Sequence, residues 1–163
     1  MFFGIPIDSF VFVHTLITLV AIAVGLVMLW GMLRNERMDA VHTIFLLFSV
    51  LTAVTGFIIQ VVPVTPAVAT GFALSIALVP ALAGRYVYRL AGSWRWIYVV
   101  AATVSLYLNC FVLVVQSFQK VPALHAIAPG VPPSGPVFGA TQAAVLIALI
   151  VAGYFSVRRY HPT

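Results

Sequence analysis

The chain has 163 residues, of which 63% are hydrophobic and 7% charged, against about 25% charged in a soluble protein. No soluble domain of this size could bury so much apolar surface, so lipid must be its main solvent. A net charge of +5 would suggest nucleic acid in a soluble protein. Here the basic residues stand at the ends of apolar runs, the pattern of membrane orientation, and no nucleic-acid partner is expected. The single cysteine, Cys110, excludes an intramolecular disulfide, a Cys-rich metal site and a two-cysteine redox relay.

The opening MFFGIPIDSF carries one charge, Asp8, and lacks the basic stretch of a signal peptide. The apolar run behind it is also too long for one, so it reads as a membrane span. Span 1 is expected over residues 10–33 and ends in the polar hinge RNERMD. Span 2 is expected over 40–62 and stops at VPVTP, where Pro63 and Pro66 bracket a turn. Span 3 covers 67–88, with Pro80 expected to kink it. The linker RLAGSWRW leads into span 4, expected over 96–118. The segment VPALHAIAPGVPPSGP holds five of the ten prolines, so only its first half suits a short helical turn. Span 5 is expected over 137–157, followed by RRYHPT. The fold class is therefore all-α: one domain, a polytopic bundle of five transmembrane helices.

Five spans place Arg34, Arg37, Arg85, Arg89, Arg95, Arg158 and Arg159 on one side and only Lys120 on the other. Seven against one predicts an outside N-terminus and a cytoplasmic C-terminus. Trp94, Trp96 and Tyr98 then suit an aromatic belt at the inner interface.

Span 4 is the informative one. Its apolar run from Ile97 to Val115 carries or adjoins Ser105, Asn109, Gln116, Gln119 and Lys120, which at roughly 100° per residue share an arc of about 100°. An amide at membrane depth needs hydrogen-bond partners, so this face is expected to look into protein. For Asn109, the hydroxyls of Thr18, Thr52 and Thr55 lie at compatible depths. Small residues recur at helical spacing: Ala140, Ala144, Ala148 and Ala152 in span 5, and Ala73, Ala77 and Ala81 in span 3. Such rows let helices approach closely. Tight internal packing is the first reading, a partner protein the alternative.

Antiparallel threading gathers His14, Gln60, Asn109, Gln116, Lys120, His125 and Gln142 toward the outer side. They are candidate ligand-binding residues of a shallow polar layer, with Lys120 offering a charge and His14 a donor or acceptor. The bland alternative is that these groups simply meet headgroups and water. His14 and His42 belong to opposite membrane surfaces and cannot share one haem iron. His14 with His125, or His42 with Met32 or Met38, has nothing else to direct it, and no metal-ligand cluster appears. There is no strong haem or metal signal, and the cofactor is unknown. No nucleophile–base pair, carboxylate pair or Gly-rich phosphate loop is present, and no acid lies inside a span.

The stretch RLAGSWRWIYVVAATVSLYLNCFVLVVQSFQKVPALHAIAP resembles the signature of a family of small five-span bacterial integral-membrane proteins. FVHTLITLVAIAVGLVMLWGML and SVLTAVTGFIIQVV in the first two spans are similar to the same family, so the resemblance covers nearly the whole chain. It implies a bacterial inner-membrane protein and brings no activity with it. Where that family often carries a histidine at the start of span 3, this chain has Val68.

Three readings follow. The first is an accessory or structural subunit, or assembly partner, of a larger inner-membrane complex, with the bilayer and other membrane subunits as partners. The second is a module binding a lipid, quinone or other apolar ligand at the outer-leaflet polar layer. The third is a small transporter or haem protein, with an enzyme the least supported.

Overall fold

The computed structural model describes residues 7–59 and 66–162. It is 84% helical, and its elements are α1 (Ile7–Leu33), α2 (Asp39–Ile59), α3 (Pro66–Leu82), α4 (Trp94–Lys120), α5 (Pro122–Ile127) and α6 (Pro136–Arg159). All but α5 are long and apolar enough to cross a membrane. The shortest such stretch, Val68–Val87, has 20 residues, which at ~1.5 Å each reach ~30 Å, one hydrocarbon core. Five spans were expected, and among the described residues five helices have the right length and composition.

The helix ends follow local chemistry. At the end of α1, Asn35 takes the left-handed conformation (φ 57°). Its N–H donates to Met32 O, and Glu36 N–H donates to Gly31 O at 2.9 Å, which is a Schellman stop with asparagine in the place usually taken by glycine. Pro122 opens α5 and Pro136 opens α6, where a missing N–H costs nothing. Helix α3 continues through Pro80 and then widens into a π-helical turn over Ala83–Val87. Gly84 lies in that turn, and a Cβ there would stand 3.2 Å from both Trp94 O and Tyr98 Cβ. This close approach is what lets the end of α3 lie on the start of α4.

Helix α4 packs on α1, α2, α3 and α6. Its most apolar stretch is 44% buried, against 17–33% for the other four, so span 4 is the central helix. Its polar face does look inward, with Ser105 and Asn109 buried. The solid core fills the half of the bundle nearest the arginines. Met28 and Met32 of α1, Phe45 and Leu46 of α2, and Tyr98, Val99, Ala102 and Leu106 of α4 meet there. A Cβ on Gly25 would fall 2.7 Å from Leu106 Cδ1 and 2.8 Å from Phe45 Cε2. The first, second and fourth helices thus touch at this level.

Two expectations are corrected. Tyr98 does not belong to an interfacial belt; it is 0% exposed, inside the core. It lies seven residues before Ser105 and therefore on the same inward face. The alanine row of α6 is not an internal seam either: Ala140, Ala144 and Ala148 are exposed and Ala152 is half-buried. The residues α6 buries are Leu149, Gly153 and Ser156. In α3, Ala77 and Ala81 are buried while Ala73 is exposed.

Candidate functional site

In the half of the bundle away from the arginines the four helices α1–α4 do not close on one another. They line a partly open cavity of about 360 Å³, toward the small end of the ~300–1,000 Å³ usual for ligand pockets. Val11, His14 and Thr18 of α1, Thr52, Gly56 and Phe57 of α2, and Val68, Gly71 and Leu74 of α3 form three walls. Asn109, Val112, Leu113, Gln116, Ser117 and Lys120 form the fourth, on α4.

Most polar groups of this wall are already engaged. Thr15, Thr18 and Thr52 donate to Val11 O, His14 O and Phe48 O at 2.9, 3.0 and 2.9 Å, and Ser117 donates to Leu113 O at 2.7 Å. A hydroxyl bonded back to its own helix has spent its one proton. Asn109, 2% exposed, donates through Nδ2 to Ser49 Oγ at 3.3 Å. The partner is thus Ser49 rather than Thr18, Thr52 or Thr55, one turn further along the buried face of α2. His14 Nδ1 lies 2.7 Å from Thr55 Oγ1. Because Thr55 sends its proton to Leu51 O at 2.6 Å, the histidine donates in this contact and its Nε2 is left as an acceptor. The pair is therefore not arranged as nucleophile and base. Gln116 and Lys120 make no hydrogen bond or ion pair among the described residues, and both line the cavity at the end of α4.

Of the expected ligand-binding residues, the structure brings together His14, Asn109, Gln116 and Lys120. Gln142 is elsewhere: its Nε2 donates to Phe111 O at 3.2 Å and its Oε1 is buried without a partner. It fastens α6 to α4. His125 is exposed on α5 and does not line the cavity. Gln60 lies outside the described residues.

A second polar cluster occupies the arginine end and was not foreseen. His42, 0% exposed, has Tyr98 Oη at 2.6 Å from Nδ1 and Tyr160 Oη at 3.4 Å from Nε2. Arg85, from the π-helical turn, pairs with Asp39 Oδ1 at 2.7 Å and lies 5.8 Å from the Tyr98 ring centre. Burial pushes the Tyr160 phenol above its ordinary value, so it remains a neutral hydroxyl. Between this cluster and the cavity stand Phe45, Leu46 and Leu106, each at most 1% exposed. The two polar regions are not continuous. The available signal was the heptad spacing of Tyr98 from Ser105 and of His42 from Ser49, which puts each pair on one inward face.

A groove of about 320 Å³ between α4 and α6 is walled by Val100, Tyr107, Leu149, Ile150 and Gly153. Three residues of its lining carry hydroxyls, Thr103, Tyr107 and Tyr154, but the surface presented to the groove is apolar, and Thr103 donates to Val99 O at 2.8 Å. It offers nothing with which to choose a ligand. Among the described residues no group of three His, Cys, Asp or Glu could hold a metal ion. Comparison of the chain with protein-family models, curated proteins and solved structures gives no match.

Proposed function

We propose that this chain is a multi-pass protein of the bacterial inner membrane that binds an apolar or amphipathic small molecule, such as a lipid or quinone, in the cavity among α1–α4. One observation carries the reading: a cavity of about 360 Å³ in the middle of four apolar helices, with the unengaged Gln116 and Lys120 at one end. The arginines mark the cytoplasmic end, which puts the cavity in the outer half of the membrane. Among the described residues no acid lines the cavity and no paired nucleophile adjoins it, so the arrangement suits binding rather than bond-making.

The test is purification in mild detergent, extraction of co-purifying small molecules, and a thermal-shift series with lipids and short-tailed quinones. A bound lipid or quinone, or stabilisation that vanishes in Gly56→Leu, supports the module. A chain free of small molecules and unshifted by every probe refutes it.

A second reading, an accessory subunit of a larger membrane complex, is favoured by the exposed Ala140, Ala144 and Ala148 on α6, since small residues in a row suit close contact with another helix. Sizing the native particle decides it: a particle no larger than one 17.6 kDa chain in its detergent belt speaks against it.

A further inference from the structure

Resting on the cavity reading above, we infer that the ligand is a single-chain amphiphile with an anionic head, its head held at Lys120 and Gln116 and its chain in the space between α2 and α4. Lys120 is the one charged residue in the described lining, and it makes no ion pair. Lys120 is exposed at the end of α4, so it stands at the mouth of the cavity, where an anionic head can meet its ammonium while the chain lies inside. Gln116, one helical turn deeper on the same side of α4, adds an amide donor.

The rest of the wall separates this class from the alternatives. A quinone has carbonyls at both ends of its ring and needs a donor for each. Deep in the cavity the hydroxyls of Thr18 and Thr52 donate to their own helices, and Asn109 Nδ2 commits one of its two N–H groups to Ser49. The donors with no partner at all among the described residues, Gln116 and Lys120, stand together at one end, which fits one polar head. Size points the same way. From Asn109 to Lys120 the helix rises about 16 Å at ~1.5 Å per residue. A cavity of about 360 Å³ lies toward the small end of ligand pockets and suits one acyl chain better than two.

The experiment uses the full chain, delipidated in mild detergent, with radiolabelled hexadecanoate as probe. Hexadecyl phosphate, methyl hexadecanoate and a short-tailed quinone serve as competitors. The expected result is one hexadecanoate per chain, displaced by one or both anionic competitors and at least about tenfold less well by the uncharged ester. The ratio of acid to phosphate affinity assigns the head to a free fatty acid or to a lysophosphate. Lys120→Gln should weaken the acid to the level of the ester, whose own affinity stays put, and Lys120→Arg should restore it. Gly56→Leu should abolish all binding, because Gly56 lines the cavity and a Cβ there meets only His14 Cε1, at 3.5 Å. Val112→Trp, from the opposite wall, repeats that block should Gly56→Leu fail to fold.

Equal binding of acid and ester, both blocked by Gly56→Leu, would overturn the anionic head and leave the cavity reading standing. Binding of the quinone alone, blocked in the same way, would do likewise. No binding by any probe, or binding indifferent to both blocking variants, would sink the cavity reading itself.

Discussion

His42 shows how a single buried residue can be held by counting protons. Its ring is enclosed by hydroxyls on both nitrogens, at 2.6 Å from Tyr98 and 3.4 Å from Tyr160. A buried nitrogen that loses its partner bears its full desolvation penalty, about 1–3 kcal/mol. Tyr98→Phe should therefore lower the melting temperature clearly, and Tyr160→Phe, which removes the longer contact, should lower it less. Melting of the two variants in the same detergent checks the order, and an inverted order would contradict the assignment of Tyr98 as the main partner. Asn109 is the opposite case. Its bond to Ser49 at 3.3 Å is an ordinary interhelical contact, for which about 0.6 kcal/mol is typical and ~1.7 an upper value. A double-mutant cycle of Ser49→Ala with Asn109→Leu should return a coupling in that range. Asn109→Leu alone should barely move stability, yet weaken any ligand that fills the base of the cavity.

Among the elements, α4 is where close approach matters most. At Gly25 the neighbours of α2 and α4 already stand where a methyl would go. Gly25→Ala gains about 0.5–1 kcal/mol in helix propensity but loses about 1–3 kcal/mol to overpacking, so it should destabilise. Gly139→Ala in α6, with nothing within 4 Å of its Cβ position, should stabilise by the propensity gain alone. Thermal melting of the pair separates crowding from propensity. The last turn of α6 is held from outside its own sequence. Arg95 donates from Nη1 to Val157 O and Tyr160 O, both at 2.8 Å, satisfying carbonyls that have no partner within the helix. His161 N–H adds a bond to Asn35 Oδ1 at 2.7 Å. Arg95→Leu should speed amide exchange in residues 157–161 while leaving the middle of α6 protected.

At the scale of the whole molecule the bundle has two unlike halves. The arginine end is packed solid around His42 and Phe45, and the other end is open around His14 and Gln116. At the open end α1 and α2 still touch, His14 Nδ1 lying 2.7 Å from Thr55 Oγ1, and the space lies between them and the walls of α3 and α4. Membrane orientation is tested independently of any ligand. In a Cys110→Ser background, a cysteine replacing Ser134 should react with an impermeant thiol reagent from outside the cell. A cysteine replacing Ser93 should react only after permeabilisation. The reverse pattern at either site would refute the five-span, N-outside arrangement.

Composition and periodicity alone were enough to specify five apolar helices with the arginines at one end, and an inward polar face on α4. These depend on local quantities: the length of an apolar run, the sites of Pro and charge, and the 3.6-residue repeat. The same face placed Asn109 inside, although its partner was a matter of one helical turn on α2, which depends on the axial offset of two helices. Depth along a span was legible, so His14, Asn109, Gln116 and Lys120 could be grouped; rotation of α6 was not, and Gln142 at the same depth faces Phe111 instead. The alanine row of α6 could have been an inner seam or an outer surface, since spacing gives a face but not its direction. Nor could the chain order reveal that Tyr160, beyond the last span, returns to reach His42. Only the packed structure decides such matters, because they turn on contacts between helices far apart in the chain: 31 positions for Gln142 and Phe111, 60 for Asn109 and Ser49, and 118 for His42 and Tyr160.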